Sequence, residues 1–357
     1  VVTGKVSAVL ELGDCETADD VARAVVSAGV APCATAGFTA RAGSEWELSA
    51  GGATERIFDL ASLTKPMTAL AVARSGMDRA APIASLLNEA RGSDVSIEML
   101  LAHRAGLEAH VKLYAPLLDG GRVDKEEALR AAARATRGDF APLYSDLGYL
   151  LVGEALARHV GARDAGEAIE QLVALPLGLG DELGTARALE ARSIDFATRV
   201  VPTEEVGWRG GVVRGRVHDE NAWALAGDGG CGHAGMFGTI RAVLVFATAA
   251  HDWIANDASY EWLVRPRPGG DLRAGFDGKS ASGSSAGDRA GPRTFGHLGF
   301  TGTSVWIDPD AHAAVSLLTN RVHPTRDNAL IRAARPEAHD ALWALAAGFR
   351  IRDSGFG

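Results

Sequence analysis

In the stretch DLASLTKPMTAL, Asp59 to Leu70, a serine stands three positions before a lysine, where an extended run passes into a helical pattern. Residues at i and i+3 share a helix face, so the Lys65 ammonium can reach the Ser62 hydroxyl without help from the rest of the fold. A serine hydroxyl is a weak nucleophile until a neighbour takes its proton. Lys65 serves only if it is neutral part of the time. Burial among LASL and MTAL predicts a lowered pKa, because burial disfavours the charged form. The start of a helix adds a positive dipole end suited to an alkoxide or oxyanion. The plainer reading, a serine cap followed by an exposed lysine, stands beside this one. Only five of the 36 basic residues are lysines, so the place of each one is informative.

Two further groups could complete such a site. In LYSDLGYLL, Tyr144, Ser145 and Asp146 precede an apolar helical run. A phenol near a lysine and a serine can relay protons, and the neighbouring cation predicts a lowered phenol pKa. The alternative is a core tyrosine followed by a Ser/Asp helix cap. In FGHLGFTGTSVWID, glycines around His297, Leu298 and Gly299 lead into a strand. Such a backbone can approach a ligand closely, and its exposed amides can complete an oxyanion hole. The alternative is an ordinary strand edge.

The elements that must position these groups are legible in outline. The first sixty residues alternate apolar runs with turns: KVSAVLEL, then DDVARAVVSAG at helical spacing, then CATAGFTA and WELSAGG as strands. From Ser62 to about Leu179 the pattern is helical, and a Gly-rich middle follows. Then come another helix, a Gly/Ser/Asp/Arg loop from Arg265 to Arg293 that reads as flexible, two strands (TGTSVWID and HAAVSLLTN), and a closing helix near Asn328 to Ala347. Strands at both ends with helices between predict one sheet assembled from both termini, with a helical region inserted. The 357 residues suit one large domain or two intimately joined ones.

The order Ser-x-x-Lys, Tyr-x-Asp, His-x-Gly resembles the serine β-lactamase and penicillin-binding-protein superfamily, nearest its class C-like hydrolases, esterases and DD-peptidases. The segments FDLASLTKP, LLAHRAGL, VPTEEVGWRGGVVRGRVHDENAWAL, GHAGMF, GSSAG, HLGFTGTSVWIDP and LTNRVHPTRDN carry the same likeness over about Phe58 to Asn328. The resemblance implies an α+β fold: a mainly antiparallel sheet flanked by helices, with an inserted all-helical subdomain. It implies a single domain over 1–357, its α/β part at about 1–75 and 235–357 and its mainly helical part at about 76–234. Ser62 would be the acylated nucleophile, Lys65 its proton partner, and Tyr144 the base that later activates water. The amides of Ser62 and Phe300 would form the oxyanion hole, while Asp146, His297, Leu298 and Gly299 would bind substrate. GSSAG would lie at the rim of the cleft. The implied activity is that of a serine hydrolase, an esterase or weak β-lactamase. A DD-peptidase is the alternative enzyme, and a non-catalytic binding protein the alternative of another class.

Two departures bear on substrate. Asp146 stands where asparagine is usual, and its charge near Lys65 would hold that lysine protonated more firmly; Leu298 stands where a threonine or serine hydroxyl is common, and both changes weaken the expectation of efficient β-lactam turnover. No cofactor is implied. His218, Asp219 and Glu220 are adjacent in sequence and rarely would converge on one metal ion. His103 and His233 read as structural, and Cys15, Cys33 and Cys231 as plain thiols. A net charge of −9 without a long basic run argues against nucleic acid, and no apolar run is long enough to span a membrane. The partner expected is a small ester, β-lactam or peptide. The expected location is the cytoplasm, or the periplasm or exterior if a leader precedes residue 1.

Overall fold

A computed structural model of the protein describes residues 12, 15–192 and 195–353. Apart from Leu12, the run KVSAVLEL lies outside the described residues. The chain builds a six-stranded antiparallel sheet in the order β2-β1-β11-β10-β9-β8. Its strands are β1 (Ala34–Ala42) and β2 (Glu45–Gly52) from one end of the sequence, and β8 (Asp277–Gly278), β9 (Phe295–Leu298), β10 (Ser304–Asp308) and β11 (Ala313–Thr319) from the other. The expected joining of both ends in one sheet is thus present, through pairing of β1 with β11.

Every residue of β11 is buried, which is what a central strand covered on both faces requires. The two-residue period divides its side chains between two cores. Ala313, Val315 and Leu317 join Trp306 and Phe38 on the face covered by the first helix (Ala18–Ser27) and the closing helix (Ile331–Asp353). Ala314 and Leu318 join Val305 and Ile307 on the opposite face, against the helix Ile240–Asn256 and the inserted helices. Thr17 starts the first helix with a reciprocal cap: its hydroxyl accepts from the Asp20 amide, and Asp20 accepts from the Thr17 amide.

The helix Thr64–Arg74 is buried at every position from Thr64 to Val72, so it runs through the interior instead of along a surface. A short 3-10 turn, Ala61–Leu63, precedes it and carries Ser62. The inserted region is mainly helical. It also carries β4 (Leu183–Thr185), which joins β3 (Phe58–Asp59) and β7 (Met236–Gly238), and the hairpin of β5 (Pro202–Val206) and β6 (Gly211–Arg214). Among the described residues, no helix is long and apolar enough to cross a membrane.

The segment 265–293 has little regular structure, yet it is tied down. Phe276 and Ala286 are buried, and the Ala286 carbonyl accepts from Trp343 Nε1 at 2.9 Å. GSSAG therefore packs against the closing helix and does not line the cleft, correcting the placement implied by the resemblance. Its small residues allow this approach: a Cβ on Gly287 would fall 2.4 Å from the Asp340 carboxylate.

Candidate active site

Ser62 is presented by a bent turn. Ala61, immediately before it, adopts φ +47°, a conformation costly for a residue with a Cβ. Buried Asp59 holds the turn by accepting from the Ala61 amide at 2.8 Å and from the His218 amide at 2.7 Å. Thr301 and Thr303 donate their hydroxyls to the Asp59 and Leu60 carbonyls, at 2.7 and 3.0 Å. The nucleophile turn is thereby fixed to the connection between β9 and β10.

The Lys65 side chain is wholly buried and its three donors all find acceptors: Ser62 Oγ at 2.9 Å, Asp146 Oδ1 at 2.7 Å and the His233 carbonyl at 3.4 Å. Its ammonium lies 4.6 Å from the centre of the Tyr144 ring. Burial opposes the charge, as the sequence suggests, but the Asp146 carboxylate outweighs it and the Lys65 pKa is raised. The expected lowering is therefore reversed by a partner 81 residues away. Tyr144 departs from expectation in the same sense. Burial pushes its phenol up to about 12, more than the lysine and Ser62 bring it down. At rest the site holds a charged lysine and a neutral phenol.

Asp146 begins the helix Asp146–Val160, where the helix dipole favours a carboxylate. Burial disfavours its charge, yet Lys65 and His110 together hold its pKa far below the usual range. His110 Nδ1 lies 3.7 Å from Asp146 Oδ2, the oxygen not used by Lys65. Tyr144 stacks on His103, whose Nδ1 accepts from the Ser145 amide at 2.9 Å.

Ser62, Tyr144, Asp146, Leu298, Gly299 and Phe300 all line one cavity of about 660 Å³. His297 does not. It is buried behind Tyr144, with its ring centre 5.9 Å away, and burial pushes its pKa down to about 3. Gly299 is required where it stands, because a Cβ would fall 2.0 Å from Thr303 Oγ1. His218, Asp219 and Glu220 diverge: His218 meets Glu204 at 3.0 Å, Asp219 meets His233 at 2.9 Å and caps a helix, and Glu220 pairs with Arg326.

The cavity also contains residues that sequence reasoning did not single out. Arg321, Arg332 and Arg335, from the connection after β11 and the closing helix, line it, and so does His110 from the inserted region. Arginine is so abundant here that no local signal marks these three. Arg332 and Arg335, at i and i+3 near the start of the closing helix, offer only a shared face.

A Ser-x-x-Lys pair at the head of a buried helix, opening on a cleft beside an antiparallel sheet, defines the β-lactamase and penicillin-binding-protein class of serine hydrolases. A family model described as Beta-lactamase matches residues 19–340, and the chain belongs to that family. A putative D-alanyl-D-alanine carboxypeptidase of Salmonella gallinarum is 29% identical over 199 residues, 51% of this chain and 45% of that protein. The chain thus spans about half the length of the curated relatives it matches. Among solved structures, EstCE1, a hydrolase with promiscuous acyltransferase activity, aligns with TM-score 0.66 at 18% identity, covering 90% of this chain and 96% of that one. A class C beta lactamase from Rhodobacter sphaeroides aligns with TM-score 0.62 at 16% identity, covering 88% and 96%.

Proposed function

We propose that this protein hydrolyses small acyl compounds through an acyl-enzyme on Ser62, acting as an esterase or weak β-lactamase. The observation that carries this reading is the contact of Ser62 Oγ with the Lys65 ammonium at 2.9 Å, on the wall of a cavity that Tyr144 shares. Lys65 donates to Oγ and stabilises the alkoxide as it forms. Tyr144, after giving up its own proton to solvent, takes the serine proton as the phenolate and returns it to the leaving group. Because Lys65 is held charged and Tyr144 neutral at rest, losing a proton from this group is the uphill part of acylation. The amides of Ser62 and Phe300 receive the oxyanion. The Phe300 amide, outside any helix or strand, donates to no acceptor among the described residues, which supports that role.

A second reading, a substrate bearing a carboxylate such as a β-lactam or a D-amino-acid peptide, is favoured by the arginine wall. Arg335 is nine-tenths buried, has no carboxylate in contact among the described residues, and spends Nη2 on the Gly299 and Thr303 carbonyls. The Arg332 side chain makes no hydrogen bond or ion pair among the described residues, and its charge disfavours that of Arg321. Three guanidinium groups with no carboxylate paired to them among the described residues suit an incoming anion. The printed name of the Salmonella relative fits this reading. Leu298 argues the other way, since it offers a carboxylate no hydroxyl.

The test compares kcat/KM for p-nitrophenyl acetate and butyrate, nitrocefin and D-Ala-D-Ala peptides, with intact-mass detection of an adduct on Ser62. An adduct and preferred ester turnover support the first reading. Higher kcat/KM on the anionic substrates selects the second, and an adduct that persists in Ser62→Ala removes both.

A further inference from the structure

Five histidines surround the site, and four are committed elsewhere. His103 and His297 are buried outside the cavity lining, with burial holding both pKa values down. His233 is buried and bonded to Asp219. His218 reaches the cavity wall, but its Nε2 lies 3.0 Å from Glu204 and its ring stacks under Phe300. His110 differs on each count. It lines the cavity, its side chain is 40% exposed, its Nδ1 is turned to Asp146, and its Nε2 has no hydrogen-bond partner among the described residues. A carboxylate facing one ring nitrogen fixes the tautomer and leaves the other free to accept a proton.

We infer that His110, oriented by Asp146, is the base that activates the hydrolytic water in deacylation, a role the family resemblance gives to Tyr144. The inference rests on the acyl-enzyme reading above. A phenol near 12 is a poor base at neutral pH, whereas an imidazole is matched to it. The groups facing His110 are Asp146 at the start of one helix and Asp219 and Glu220 at the start of another; all three favour its protonated form, against burial.

In the step itself, His110 Nε2 takes a proton from water while the water oxygen bonds to the acyl carbon. As the tetrahedral intermediate collapses, the bond from carbon to Ser62 Oγ breaks and Oγ takes a proton from Lys65. The carboxylic acid product returns a proton to Lys65, and His110 releases its own to solvent. Asp146 bonds Lys65 at 2.7 Å and faces His110 at 3.7 Å, so one carboxylate serves the two halves of the reaction.

The experiment measures acylation and deacylation separately, by stopped flow with p-nitrophenyl butyrate and by mass spectrometry of the adduct, in the parent and in His110→Gln. The expected result is a preserved burst, acylation within about threefold of the parent, and deacylation slowed about 100-fold. Parent deacylation rises through the His110 titration, above about pH 6.5, and then levels; the variant lacks this limb. In His110→Ala, added imidazole restores part of the deacylation rate. Unchanged deacylation in His110→Gln, or equal losses in both steps, overturns the inference while leaving the acyl-enzyme reading intact. A parent protein that forms no adduct on Ser62 overturns both.

Discussion

The two walls of the cavity handle charge in opposite ways. On the wall formed by the inserted region, each carboxylate has a partner: Asp146 meets Lys65 at 2.7 Å, Asp219 meets His233 at 2.9 Å, and Glu204 and Glu220 share Arg326. On the wall formed by β9, the connection after β11 and the closing helix, Arg326 serves those carboxylates, the guanidinium groups of Arg321 and Arg335 bond only to carbonyls, and the Arg332 side chain makes no hydrogen bond or ion pair among the described residues. Paired buried charges hold one another in a set protonation state, as the lysine and phenol show. Unpaired ones keep their capacity for a ligand. On the proposed function, proton transfer falls to the first wall and substrate choice to the second.

Removing the nucleophile gives the largest effect. Ser62→Ala is expected to lower kcat/KM for p-nitrophenyl butyrate by about 10⁴-fold or more and to abolish covalent labelling, read by intact mass. Lys65→Ala and Tyr144→Phe should each approach that loss, with the double variant losing little more, because the groups act as one unit. Losses that multiply in the double variant would show that the paired wall does not work as a unit. In the parent, kcat/KM for the ester should climb with pH from 7 to 10, since the phenol loses its proton only toward about 12.

Asp146→Asn sharpens the comparison through stability. It leaves the buried lysine without a counter-charge, and a loss on the order of 3 kcal/mol is expected at pH 7. The Asp146 carboxyl is held below its ordinary value, so its contribution is present above about pH 4 and lost as pH falls toward the folded pKa. The difference in Tm between parent and variant should therefore shrink below about pH 4. A gap that widens in acid would contradict the pairing.

The second wall gives smaller and more selective effects. Arg332→Ala should lower kcat/KM for nitrocefin or a D-Ala-D-Ala peptide by about tenfold and leave the ester within about twofold, at low salt. Equal effects on both substrates would make the wall structural. Leu298→Thr should move the ratio least, by about threefold toward the anionic substrate, because the arginines already supply donors.

What the sequence made legible followed from distance along the chain. The Ser62 to Lys65 spacing is local, so helix geometry alone was enough. The sheet assembled from both ends was legible because β1 and β11 each carry a strong apolar run between turns. Placing Tyr144 and Asp146 beside that pair needed the family resemblance, since no local pattern crosses 81 residues. The charge of Lys65 was legible only as two opposing parts, burial in LASL and MTAL and, through the resemblance, an Asp146 carboxylate able to hold it protonated; which of them wins needed their 2.7 Å contact. The left-handed Ala61, the anchoring Asp59 and the free nitrogen of His110 depend on tertiary contacts that no short window contains.

The joining of β1 to β11 also orders events during synthesis. Strand β1 ends at Ala42 and its partner begins at Ala313, so one emerges from the ribosome long before the other. At about 5–20 residues per second, the gap is roughly 15–50 s. Through that interval the first strand, with its apolar faces, has no central partner, and Ser62 has no Phe300 opposite it. The site as proposed is therefore assembled only when the last strands are made.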